Sequence, residues 1–122
     1  MSEYELLDLI GTWKADTATN ATTLISVLFA YILAAHVAGS AMSRLQVGIV
    51  STLMAWTASI NVYQITINQV AIIEYHELIR PEWGANAVAR GELVIWIIGL
   101  GMVAAIVAAL SYMWSVRHPK TE

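Results

Sequence analysis

The chain reads as an all-α integral membrane protein with three transmembrane helices, the first two forming a helical hairpin, preceded by a short amphipathic N-terminal helix in the membrane interface. Three observations predict this. Of the 122 residues, 58% are hydrophobic and only 12% charged, well above the usual apolar share and about half the usual charged share. The charges are also segregated: Thr17 to Ser43, Leu45 to Ile73 and Leu93 to Val116 contain no Lys, Arg, Asp or Glu. These gaps hold 27, 29 and 24 residues, and a helix needs about 20 mainly apolar residues to cross a hydrocarbon core about 30 Å thick.

The first element is the interfacial helix, residues 2–15. Ser2 followed three residues later by Glu5 fits a capping box. Leu6, Leu7, Ile10 and Trp13 then fall on one helical face, and Glu5, Asp8 and Thr12 on another. Because the polar face is acidic, the helix is expected to rest on zwitterionic lipid or on protein, although Gly11 weakens it. Glu3, Glu5, Asp8 and Asp16 outnumber Lys14 in Met1 to Asp16, so no cleavable signal peptide is expected.

The first span, within residues 23–43, is dense in small side chains. Ser26, Ala30, Ala34 and Ala38 repeat every four residues, and Ala35 with Gly39 forms a second row. Such rows let helix backbones approach closely in lipid. Only a few residues around Ser43 and Arg44 precede the next span, so the two spans form an antiparallel hairpin.

The second span, residues 45–79, is less apolar. Thr57, Asn61, Gln64 and Asn68 follow helical spacing, with Tyr75 further along, and this stripe is expected to face protein or water. A helix of this length extends roughly 52 Å, so its last turns stand beyond the hydrocarbon. A loop at 80–91 leads to the third span, 92–116, with Asn86 as an N-cap for a helix that begins before the membrane does. Trp96 and Trp114 lie about 27 Å apart along it, one near each interface. Gly101, Ala105 and Ala109 give it a small-residue row. Residues 117–122 form a tail.

The chain has no cysteine, which removes disulfides, iron–sulfur ligation, thiol catalysis and Cys-type zinc sites. A net charge of −3 without a basic run argues against nucleic acid and offers no polybasic patch for anionic lipid. The sequon Asn20-Ala21-Thr22 abuts the first span and is read as fortuitous. Arg44, Arg117 and Lys120 on one side balance Lys14, Arg80 and Arg90 on the other, so the Lys/Arg rule is tied. All acids except Glu122 lie on the second side, and an acidic tail is easier to translocate, so the N-terminus is expected outside and the C-terminus in the cytoplasm; the expected location is a bacterial inner membrane.

The stretch Glu74-Tyr75-His76-Glu77-Leu78-Ile79-Arg80-Pro81-Glu82-Trp83-Gly84 falls one residue short of H-E-x-x-H, with Arg80 where the second His would stand. Arg80 accepts no bond and cannot ligate, so no metal site is expected. The stretch reads instead as a helix leaving the membrane, ended by Pro81 and marked by Trp83. Its acidic end, with Glu74, Glu77, Arg80 and Trp83, is the expected partner contact.

His36 is the one ionisable group read as deep in a span. Gly39, Ser40 and Ser43 share its face, and Thr52 lies at similar depth on the second helix, so a neutral His hydrogen-bonded across the hairpin is expected. The sharper alternative is a haem- or quinone-associated redox subunit, with haem b bound through His36 and Met54 or a second His36 as axial partner. Size and helix count are similar to those of the haem-bearing anchors of succinate dehydrogenase, but His36-Val37-Ala38-Gly39 is not followed by the Arg-His and Asp of their signature. A third alternative is a small transport or polar-pore component using the Asn61 and Gln64 stripe. The spans carry no Asp or Glu, no Pro interrupts them, and no Gly-x-Ser-x-Gly turn or phosphate-binding glycine loop is present. The leading expectation is therefore a non-enzymatic accessory or oligomerising subunit without a cofactor, which packs its small-residue rows against itself or a larger membrane complex.

Overall fold

The structure, a computed structural model, describes residues 2–79 and 84–119. It is all-helical over those residues, with α1 at Glu3–Ala38, α2 at Arg44–Ile79 and α3 at Gly84–Arg117. All three are long and apolar enough to cross a membrane. The hairpin of α1 and α2 is the main body, and α3 packs against both.

The capping box at the start of α1 is present, with Ser2 N donating to Glu5 Oε2 at 2.8 Å and Glu5 N to Ser2 Oγ at 3.2 Å. The expected break after residue 15 is absent, because α1 is one helix of 36 residues. Its Thr- and Asn-rich middle stays helical by bonding to itself. The side chains of Thr17, Thr19, Asn20, Thr22 and Thr23 each donate to the carbonyl four residues back, at 2.8–3.1 Å. Side chains that often compete with a helix here leave its backbone bonds intact. The inner face is equally continuous. Ile10, Leu24 and Tyr31 are buried and Thr17 half-buried, seven residues apart in succession. Residues 2–15 are thus the first third of α1, and Trp13 meets Tyr75 of α2 edge to face with ring centroids 4.7 Å apart.

At its other end α1 stops at Ala38, five residues before the expected boundary at 43. Ala41 N and Met42 N both turn back to Ala38 O, at 3.0 and 3.1 Å. A second capping box opens α2, with Ser43 N donating to Gln46 Oε1 at 2.8 Å and Gln46 N to Ser43 Oγ at 3.2 Å. The third helix begins at Gly84, inside the expected loop of 80–91, so Asn86 lies within its first turn and not at its cap. A Cβ on Gly91 would come within 2.7 Å of Ile73 Cδ1, so glycine lets α3 approach α2 there.

The interior is a seam of alternating three- and four-residue steps. On α2 it runs through Met54, Ala58, Asn61, Ile65 and Asn68, all buried. On α3, Met102 and Ile106 are half-buried and Ala109 and Met113 buried. This 3.5-residue period belongs to left-handed antiparallel bundles. Ala35 and Ala58 are 0% exposed, which shows how closely the backbones approach. Outside the seam the surface is apolar, with Phe29, Val37, Trp56, Trp96 and Trp114 all largely exposed. So large an uncovered apolar area suits lipid and not water.

Two predictions follow from this geometry. Ala18→Pro removes a bond and clashes within α1 if the helix is continuous, and should cost about 3 kcal/mol or more; a flexible joint at residues 16–22 would leave denaturant titration of the helical circular dichroism unchanged. Ala58→Leu overpacks the seam and should cost about 1–3 kcal/mol in the same titration, whereas Val107→Leu, exposed on α3, should be near neutral.

Candidate functional site: the basic end of the bundle

The two ends of the bundle carry different charge. Eight of the nine carboxylates, all but Glu122, belong by sequence to the end where α1 begins and α2 meets α3. The opposite end, where α1 turns into α2, carries Arg44, Arg117 and His118.

Arg117, the last residue of α3, is half-buried, and its Nη1 donates to Gly39 O at 2.9 Å and Met42 O at 2.6 Å. Both carbonyls belong to the turn that follows α1, where backbone acceptors have no helical partner, and the cation also complements the C-terminal end of the α1 dipole. Gly39 is buried, and a Cβ there would lie 3.1 Å from Val116 Cγ1. The end of α3 is therefore clamped onto the hairpin turn. His118 stacks on Trp114 with ring centroids 4.0 Å apart, and its Nδ1 lies 3.1 Å from Trp114 O. A carbonyl only accepts, so Nδ1 carries the proton.

Below this layer Tyr31 Oη and Ser51 Oγ lie 2.7 Å apart and form the polar link across the hairpin. Tyr31 is buried. A cleft of about 400 Å³ opens beside the pair, lined by Arg44, Val47, Ser51, Leu110, Trp114 and Arg117. Neither Tyr31, Ser51 nor Arg117 stood out in the sequence as a contact residue. The Ser-x-x-Gln start of α2 was readable; a bond between residues 78 positions apart was not.

The structure also redistributes the expected site residues. His36 lies in the last turn of α1, two residues from the helix end and not deep in a span reaching residue 43, because the helix stops at Ala38. It is thus shallower than Thr52, and its Nδ1 lies 2.9 Å from Tyr112 Oη of α3. This partner is on α3, and is not the Thr52 expected across the hairpin. His36 and Thr52 are both exposed, whereas Met54 is buried in the core, so His36 and Met54 occupy different sides of the fold. Among the described residues no three His, Asp or Glu side chains come together as a metal-binding group.

The polar stripe on α2 divides. Asn61 and Asn68 are buried on the seam, and Asn61 Nδ2 donates to Thr57 O at 2.8 Å. Thr57 is half-buried, while Gln64 is exposed on another side. The small-residue rows divide likewise: Ala35, Gly39 and Ala109 are buried, Ala34 and Ala38 half-buried, and Ala30, Gly101 and Ala105 exposed. Glu74 and Glu77 are exposed on the last turns of α2. Arg80 and Trp83 lie outside the described residues.

These observations define an all-helical protein whose three helices can each span a membrane. In comparisons with known proteins the chain matches no family model, no curated protein and no solved structure.

The clamp makes a graded prediction. Arg117→Met leaves two turn carbonyls without their donor and should destabilise the bundle by about 1–3 kcal/mol, read by denaturant titration in detergent. Arg117→Lys keeps the charge but not the planar donor fork, and should fall between Met and wild type.

Proposed function

We propose that this chain is a non-catalytic accessory or oligomerising subunit of a membrane assembly, in a bacterial inner membrane with its C-terminus in the cytoplasm. The observation that carries this reading is the outward row on α3. Gly101, Ala104, Ala105 and Ala108 are all exposed, and a Cβ on Gly101 would meet nothing within 4 Å. Close backbone approach is what such rows serve between helices in lipid. The inner side of α3 is already occupied by α1 and α2; this row is open among the described residues. Ala30 offers a smaller exposed position on α1.

Two further features support a partner. Ser111 and Ser115 continue the exposed side of α3, and Tyr112, bonded to His36, stands between them. Beyond the membrane, Glu74 and Glu77 face outward on an acidic end and suit a cationic contact. The Lys and Arg counts are tied, and the orientation rests on the acidic segment being the easier one to translocate.

The test is assembly in mild detergent. Wild-type protein should run above monomer mass, as a homo-oligomer or with co-purifying membrane chains. Gly101→Leu with Ala105→Leu should weaken that assembly about tenfold or more while leaving the helical circular dichroism intact. A wild-type protein that is monomeric and free of other chains would sink the reading.

A further inference from the structure

We propose that the cleft between α2 and α3 at the basic end binds one anionic phospholipid, with its phosphate at Arg44 and Arg117 and its glycerol ester region at the Tyr31–Ser51 hydroxyl pair.

Charge is the first argument. Arg44 occupies the first position of α2, whose first turn has no acidic residue. A cation there opposes the positive end of the helix dipole, so the helix does not account for it. Arg117 differs, because one of its nitrogens already serves the turn; its remaining N–H groups are donors in a fixed fork suited to phosphate. No Asp or Glu occurs between Thr17 and Ile73 or between Leu93 and Thr121. The carboxylates that could neutralise this end thus reduce by sequence to Glu122. Two arginines beside an apolar cleft call for an anion from elsewhere.

Depth and shape are the second argument. Trp114 lines the cleft, and its indole marks a membrane interface, the level of lipid headgroups. Tyr31 and Ser51 each lie seven residues from the helix end nearest Arg44, about 10 Å further into the membrane. Between two bonded hydroxyls one O–H is spent and one remains to donate, which fits an ester carbonyl below a phosphate. Val47, Leu110 and Met113 form the walls, against which an acyl chain can lie.

A second cleft at the opposite end has Lys14 and Arg90 on its rim. It carries less weight, because Asp16, Glu74 and Glu92 belong to the same end. The basic cleft also could not be seen as a run of residues: the fold assembles it from positions 44 and 117, so the absence of a polybasic segment does not count against it.

The experiment is native mass spectrometry of the delipidated protein titrated with phosphatidylglycerol or phosphatidylcholine. Phosphatidylglycerol should be retained on the order of tenfold more strongly, as a single adduct. Arg44→Gln should remove most of that preference, and Tyr31→Phe should weaken retention of either lipid, with circular dichroism reporting that both variants fold. Equal retention of the two lipids overturns the proposal. An unchanged preference in Arg44→Gln does so as well, and would leave Arg44 with a topological role alone. Displacement of phosphatidylglycerol by millimolar inorganic phosphate would identify a free-anion site and sink the lipid assignment.

Discussion

The fold depends on the close approach of α1 and α2 along one uninterrupted seam. Ala35 and Ala58 are 0% exposed, and Leu24, Tyr31, Met54 and Ile65 join them in one buried cluster. Within hydrocarbon, burying an apolar side chain against another helix gains little over burying it in lipid, so close packing and a few hydrogen bonds must hold the pair. The alanines allow that packing, and the Tyr31–Ser51 bond adds a polar link where water does not compete. Toward the acidic end the same seam continues, with Ile10 buried and Trp13 against Tyr75. It can do so because the heptad register from Ile10 to Tyr31 never slips.

The third helix is held by that seam and by its own end. Met102, Ile106, Ala109 and Met113 fill the groove of the hairpin, and Arg117 bonds the turn that closes it. The clamp couples three pieces of chain: the end of α1, the turn and the end of α3. The His36–Tyr112 bond lies one turn further in and joins α1 to α3 a second time. Together these contacts tie the end of α3 to both the end of α1 and the hairpin turn.

Three helices, a tight hairpin and the capping box at Ser2 were legible in the sequence, because each rests on local composition or spacing. Two boundaries were not. Gly39 to Met42 holds no charge and no Pro and reads as more helix, although Ser43 followed by Gln46 carries the start signal of α2. The segment from Asp16 to Thr23 reads as a joint, because Thr and Asn favour caps and turns in isolation; only the bonds to carbonyls four residues back show that they stay helical here. The early stop of α1 then moved His36 outward by several residues, and with it the partner expected at Thr52. The clamp at Arg117 and the cleft beside it depend on pairing between distant segments, which no periodicity carries.

The same self-bonding lets α1 and α2 carry polar side chains and still be apolar enough to cross a membrane. Thr19, Asn20, Thr22, Thr23 and Ser26 on α1 donate to their own helix, as do Asn61 and Thr66 on α2. In a helix that crosses a membrane such side chains meet hydrocarbon, where no water serves them. A hydroxyl or amide without a partner there would cost several kcal/mol. Each of these instead shares an acceptor that the helix already provides, and Asn61 is in addition buried on the seam away from lipid. Much of the polar content of these stretches is thus satisfied within single helices, and on α3 Gly101, Ala104, Ala105 and Ala108 stay exposed.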